Sequence, residues 1–196
     1  MMNDSIAASG EPLPWKQLST KPIYDNPWIS VREDQALMPD GRTTVYGVIT
    51  TTPAVGVLGF VNEDHVVMVR QWRYVAGRAM WEIPTGAAHV GEALEDAARR
   101  EMIEQSGYRV GSFQLLTSYH SSKSVMDETC TVYLGTDLTL GTAQPDPTEF
   151  IRVEVLRFTD VVAMVLSGEI KDAMTVVAVL LAERERSGRQ RPSPKS

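Results

Sequence analysis

The sequence of 196 residues holds a single cysteine, Cys130, which excludes an intramolecular disulfide and a CxxC zinc site. One lone thiol suits a reducing compartment, so the expectation is a cytoplasmic protein. Long apolar runs are missing as well. The longest, Ala173 to Ala182, is about half of the ~20 residues that a membrane-spanning helix needs, so no membrane role is expected. The N-terminus lacks a basic stretch followed by an apolar core, the mark of a secretory signal. Positive charge is short: 19 Lys and Arg stand against 25 Asp and Glu, a net charge of −6. A chain of that sign has no electrostatic footprint for nucleic acid, although a metal ion can supply positive charge locally to a nucleotide. There is no internal repeat. What remains is 43% hydrophobic and 22% charged residues, the balance of a globular domain long enough to close a core unaided.

The pattern between the two polar ends mixes strands and helices. Trp28 to Met38 reads as a strand that breaks at Pro39-Asp40-Gly41, and Thr43 to Thr52 as the strand returning from that turn. Ala54 to Phe60 and His65 to Trp72 read as a second hairpin about Asn62-Glu63-Asp64. Met80 to Ile83 is a short strand stopped by Pro84. Phe113 to Tyr119 and Glu128 to Thr136 are strands joined by a serine-rich loop, and Phe150 to Phe158 follows a Pro145-Asp146-Pro147 linker. Helices are expected near Ala93 to Gln105, Asp160 to Leu166 and Asp172 to Glu185. Clustered strands with few helices predict an α+β sandwich, not a doubly wound parallel sheet.

The first of these helices carries the chemistry. Leu94, Ala98 and Met102 recur at i, i+4 and i+8, and Gly107 follows as a C-cap. Glu101, Glu104 and Gln105 lie at i, i+3 and i+4, on one side of the helix beside that apolar stripe. Two carboxylates flanking a packed face are costly if left dry and unpaired. A hard divalent cation removes that cost; ordinary salt bridges on a surface helix are the plainer reading of the spacing alone.

The stretch Gly86 to Tyr108 resembles the Nudix box: Gly, five residues, Glu, seven residues, then Arg-Glu-apolar-x-Glu-Glu-x-Gly-apolar. Gly86, Glu92, Arg100, Glu101, Met102, Glu104, Gly107 and Tyr108 all fall in place, while Gln105 stands where the pattern has a second glutamate. The flanks Gln71-Trp72-Arg73, Gly77 and Glu82-Ile83-Pro84-Thr85-Gly86 resemble ADP-ribose pyrophosphatases. So do Tyr24-Asp25-Asn26-Pro27-Trp28 upstream and Ser124-Val125-Met126-Asp127-Glu128 downstream.

This resemblance implies a Nudix α/β/α sandwich with an N-terminal β-hairpin extension. Within it, residues 21–52 are N-terminal strands for dimerisation and base binding and 53–186 the hydrolase domain, while the small, polar composition of the ends marks a flexible leader (1–20) and a disordered tail (187–196). The implied activity is Mg²⁺- or Mn²⁺-dependent hydrolysis of the pyrophosphate bond of ADP-ribose or a related nucleotide sugar. Carried over by position, Glu101, Glu104, Gln105, the Thr85 carbonyl and Glu82 are the candidate metal ligands. Arg100 orients the glutamates, and Glu128 is a catalytic base on a mobile loop. Arg73 clamps a phosphate, Gln71 contacts substrate, and Trp28 or Tyr24 stacks on the base. The partners implied are the nucleotide sugar and a second copy of the chain.

An amide at position 105 coordinates Mg²⁺ without formal charge. Three readings stand open: an enzyme that tolerates Gln105 at some cost in activity, an engineered change that traps substrate, or a domain that binds nucleotide sugars without hydrolysing them.

Overall fold

The computed structural model describes residues 14–142 and 150–188. The linker at Pro145-Asp146-Pro147, most of the expected leader and most of the tail lie outside them. Among the described residues the elements are, in order, β1 (Lys16–Asp25), β2 (Ser30–Leu37), β3 (Thr43–Thr50), β4 (Ala54–Gly59), β5 (His65–Arg73), β6 (Arg78–Glu82) and β7 (Thr85–Ala87). Then come α1 (Leu94–Ser106), β8 (Tyr108–Arg109), β9 (Ser112–His120), β10 (Thr129–Thr136), β11 (Thr139–Leu140), β12 (Ile151–Arg157), α2 (Phe158–Leu166) and α3 (Ala173–Arg186). No helix among them is long and apolar enough to cross a membrane.

The chain divides into two compact units. The first joins residues 14–52 to the segment 120–128. The expected hairpin of β2 and β3 is present, turning where Asp40 accepts from the Arg42 N–H at 3.0 Å. A third strand, β1, pairs antiparallel with β2 from Lys16↔Leu37 to Asp25↔Ser30. It begins inside the stretch expected as a loose leader, because the alternation in KQLSTKPIYD is too weak and too polar to announce a strand. Its partner strand supplies the hydrogen bonds instead. Between β1 and β2, Asn26 Oδ1 accepts from the N–H groups of Trp28 and Ile29, an Asx-type turn.

The second unit holds two main sheets, ordered β7-β4-β10-β9 and β12-β5-β6. The expected hairpin of β4 with β5 does not form. Among the described residues, backbone pairing between these two segments is confined to the turn, at the bridge Phe60↔Val66 and the Val61 N–H to His65 O bond of 2.9 Å. β4 runs parallel to β10 and antiparallel to β7, while β5 lies between β6 and β12. Val55 to Phe60 and Val66 to Val69 are all buried, and strands covered on both faces take interior places with neighbours distant in sequence.

Side chains alternate along these strands, so they feed two cores. Val55, Val57 and Val67 pack with Ala97, Ala98 and Met102 of α1. Leu58, Val66 and Met68 pack with Phe158, Val161, Ala178 and Val179 of α2 and α3. Helices therefore cover both sides, an α+β sandwich. Each fully buried Val, Leu or Met contributes roughly 1.5–3 kcal/mol. The helix ends are specified locally. Gly107 terminates α1 at φ 78°, a left-handed cap that favours glycine. Asp172 caps α3 by accepting from the Thr175 N–H, and the Thr175 hydroxyl accepts in turn from the Ile83 N–H at 3.0 Å. That relay ties α3 to the segment leading into β7.

Candidate active site

The site is built where β7 hands over to α1. Gly86 lies in the middle of β7, and a methyl group on it would sit 2.0–2.2 Å from the carboxylate atoms of Glu101. The glycine is needed because a carboxylate rests on its α-carbon. Glu101 itself is only 8% exposed.

Arg100 organises the carboxylates around it. Its Nη1 donates to Glu101 at 2.7 Å and to Glu104 at 3.0 Å; Nε and Nη2 reach the two oxygens of Glu92 at 3.0 and 2.9 Å. Nη2 also donates to the Ala87 carbonyl at 2.9 Å. One planar guanidinium thus holds three glutamates and the end of β7, a geometry that a lysine ammonium does not reproduce. The cluster raises the affinity of Arg100 for its proton. Glu92 is held down to about 2, first by Arg100 and then by the His89 N–H. The box glutamate at 92 is therefore a partner of Arg100, a role that spacing alone did not reveal.

Gln105 is 2% exposed and bonds to the peptide of Thr85 on both sides. Oε1 accepts from the Thr85 N–H at 3.0 Å, and Nε2 donates to its carbonyl at 2.8 Å. Two expected ligands, the Gln105 amide and the Thr85 carbonyl, are thereby bonded to each other.

Glu82 and Arg73 also meet. Arg73 Nε donates to both oxygens of Glu82 at 2.9 and 3.0 Å, and Nη2 makes a further bond to Oε2. Glu82 is buried while the Arg73 side chain is about two-fifths exposed. Burial pushes the Glu82 carboxyl up and Arg73 opposes the push. Glu82, expected among the metal ligands, is bonded to Arg73, a pairing that the strand register allows: Val69 faces Glu82, and Arg73 lies further along the same face of β5. Among the described residues no three His, Cys, Asp or Glu side chains are grouped to hold a metal. Glu101 and Glu104, sharing the Nη1 of Arg100, are two adjacent hard donors. That set fits Mg²⁺ or Mn²⁺, since Mg²⁺ usually takes one or two carboxylates and completes its shell with water and phosphate.

Gln71 lies two residues before Arg73 on β5. It is 7% exposed, and its Nε2 has no hydrogen-bond partner among the described residues. A buried unpaired donor is costly and calls for a ligand or a water.

Glu128, Trp28 and Tyr24 belong to the first unit. The loop carrying Glu128, expected as mobile, is stitched to β3: the Ile49 N–H donates to Val125 O at 2.8 Å and the Asp127 N–H to Ile49 O at 3.0 Å. Thr50 adds a bond to Asp127 at 2.8 Å. Trp28 is 78% and Tyr24 54% exposed, so both rings are accessible.

Residues 50–185 match the model of the NUDIX domain. The chain belongs to the Nudix family. Residues 15–49 of this Nudix chain match the nucleoside diphosphate sugar hydrolase N-terminal domain, which accounts for the added sheet. Over 166 residues the chain is 28% identical to an ADP-ribose pyrophosphatase of Bacillus subtilis, covering 84% of this chain and 90% of that one. An ADP-ribose pyrophosphatase of Mycobacterium tuberculosis is 27% identical over 183 residues, 92% and 88% of the two chains. A methanol dehydrogenase activator of Bacillus methanolicus is 28% identical over 166 residues, with the same coverage as the Bacillus subtilis protein. The crystal structure of an ADP compounds hydrolase superposes with a TM-score of 0.80 at 18% identity, covering 91% of this chain and 98% of that one, a likeness of fold.

Proposed function

We propose that this Nudix chain hydrolyses the pyrophosphate bond of ADP-ribose or a related nucleoside diphosphate sugar, releasing a nucleoside monophosphate and a sugar phosphate. The observation that carries the reading is the Glu101–Arg100–Glu104 arrangement seated on Gly86. The N-terminal match and the named relatives narrow the substrate class.

Glu101 and Glu104 hold the divalent cation, Mg²⁺ or Mn²⁺, with Arg100 fixing both carboxylates. A cation there neutralises phosphate charge and lowers the pKa of a water bound to it. Gln71 offers its buried donor to the substrate, and Arg73, braced by Glu82, contacts a phosphate. Glu128 accepts the proton of the attacking water. Tyr24 or Trp28 stacks on the base. The exposed apolar side chains of the first unit, among them Trp15, Leu18, Ile23, Val45 and Tyr46, support assembly as a homodimer through that unit. A buried lone thiol fits a cytoplasmic setting.

A second reading, a nucleotide-sugar-binding module without hydrolysis, draws support from Gln105, whose amide is engaged with backbone. Incubation with ADP-ribose, ADP-glucose, GDP-mannose, UDP-glucose and NADH in Mg²⁺ or Mn²⁺, with coupled phosphate release, separates the two. The enzyme reading expects turnover of an ADP-sugar. Tight binding by calorimetry without turnover of any of the five supports the module.

A further inference from the structure

Gln105 meets the Thr85 peptide with both ends of its amide. Only this orientation satisfies both partners, since a flipped amide sets donor against donor and acceptor against acceptor. The side chain is almost wholly buried, so losing either bond leaves a dry polar group behind. A glutamate in this place matches the Thr85 N–H alone. Its second oxygen would face the Thr85 carbonyl oxygen away from solvent, and only a donor or a cation between them removes that repulsion. Thr85 immediately precedes Gly86, on which the Glu101 carboxylate rests. The carbonyl that Gln105 holds thus lies one residue before the seat of Glu101.

We propose that the Gln105 amide takes the place of a cation at the Thr85 carbonyl. This corner of the site is closed to metal, and Glu101 and Glu104 hold the cation without it. The proposal deepens the function proposed above and rests on the reading of Glu101 and Glu104 as cation ligands. Gln105 then fixes the Thr85 peptide and coordinates nothing. Exchange of its amide for a carboxylate opens a second cation position.

The test is Mn²⁺ binding to the full chain, followed by the electron paramagnetic resonance of free Mn²⁺, together with thermal unfolding in EDTA and in Mn²⁺. Gln105→Met neither clasps Thr85 nor offers a ligand suited to a hard cation. It is expected to melt about 3–6 °C lower than wild type, yet to keep its Mn²⁺ affinity within about threefold. Gln105→Glu is expected to melt below wild type in EDTA, to recover in Mn²⁺, and to bind one more Mn²⁺ per chain. A tenfold or greater loss of Mn²⁺ affinity in a folded Gln105→Met protein makes Gln105 a ligand and overturns the proposal. Equal Mn²⁺ counts and equal melting responses for wild type and Gln105→Glu overturn it too. If wild type binds no Mn²⁺, the cation reading of Glu101 and Glu104 fails and this proposal fails with it, an outcome distinct from the other two.

Discussion

The carboxylate of Glu101 rests on the α-carbon of Gly86, with no room for a methyl group between them. The overlap of Gly86→Ala is with the end of a flexible side chain, so Glu101 moves and the backbone stays. The variant should remain folded, with Tm within a few degrees of wild type, while turnover falls on the order of 10²-fold, the cost of displacing a catalytic group by about 1 Å. Comparing melting curves with steady-state rates checks the split. A variant that unfolds, or one with undiminished turnover, contradicts it.

Arg100 joins Glu92, Glu101, Glu104 and the Ala87 carbonyl through one planar fork. Arg100→Lys keeps the charge and loses the fork. The half-saturating Mg²⁺ concentration should rise and kcat/KM fall by at least about 10–100-fold, as for other groups that orient metal ligands. Mg²⁺ titrations of the rate, wild type against variant, read this directly.

Arg73 and Glu82 form a pair with one buried partner. Removing Arg73 alone strands the Glu82 carboxylate in a dry place. Arg73→Met should therefore destabilise the fold by about 3–5 kcal/mol, whereas the double variant Arg73→Met/Glu82→Leu should cost much less than Arg73→Met and Glu82→Leu taken together. Urea unfolding of the two single variants and the double one gives the coupling energy.

Glu92 is one carboxylate whose pairing links stability to acid pH. Its carboxyl is held well below the ordinary value of 4.5, down to about 2, chiefly by Arg100. The unfolded chain therefore binds more protons between these values, and the stabilisation is present above pH 4.5 and lost as the pH falls towards 2. Glu92→Gln should lower Tm at pH 7 and flatten its decline between pH 4.5 and 2. Scanning calorimetry across that range shows whether the two curves converge.

The box was legible because its chemistry fixes residue type and spacing together. Gly86, Arg100, Glu101 and Glu104 assemble as their positions in the sequence imply. The α1 stripe and its glycine cap were legible for the same local reason. Partners distant in sequence were not. Val66 to Val69 read as one arm of a hairpin with β4, yet their neighbours are β6 and β12, and nothing in an all-apolar run says which strand lies beside it. β1 was hidden because its strand character comes from pairing with β2. The engagement of Arg73 with Glu82 and of Gln105 with Thr85 depends on register across β5 and β6 and on how α1 packs over β7, neither of which appears in the order of the residues.

The most direct measurement is steady-state hydrolysis of ADP-ribose in Mg²⁺ or Mn²⁺, with AMP resolved by chromatography, for wild type and Glu101→Gln side by side. The account predicts metal-dependent release of AMP and ribose 5-phosphate by wild type, abolished by EDTA and reduced by at least about 10³-fold in a folded Glu101→Gln protein. Equal release by the two proteins, or none from ADP-ribose and the other nucleotide sugars by folded wild type with either metal, would contradict it.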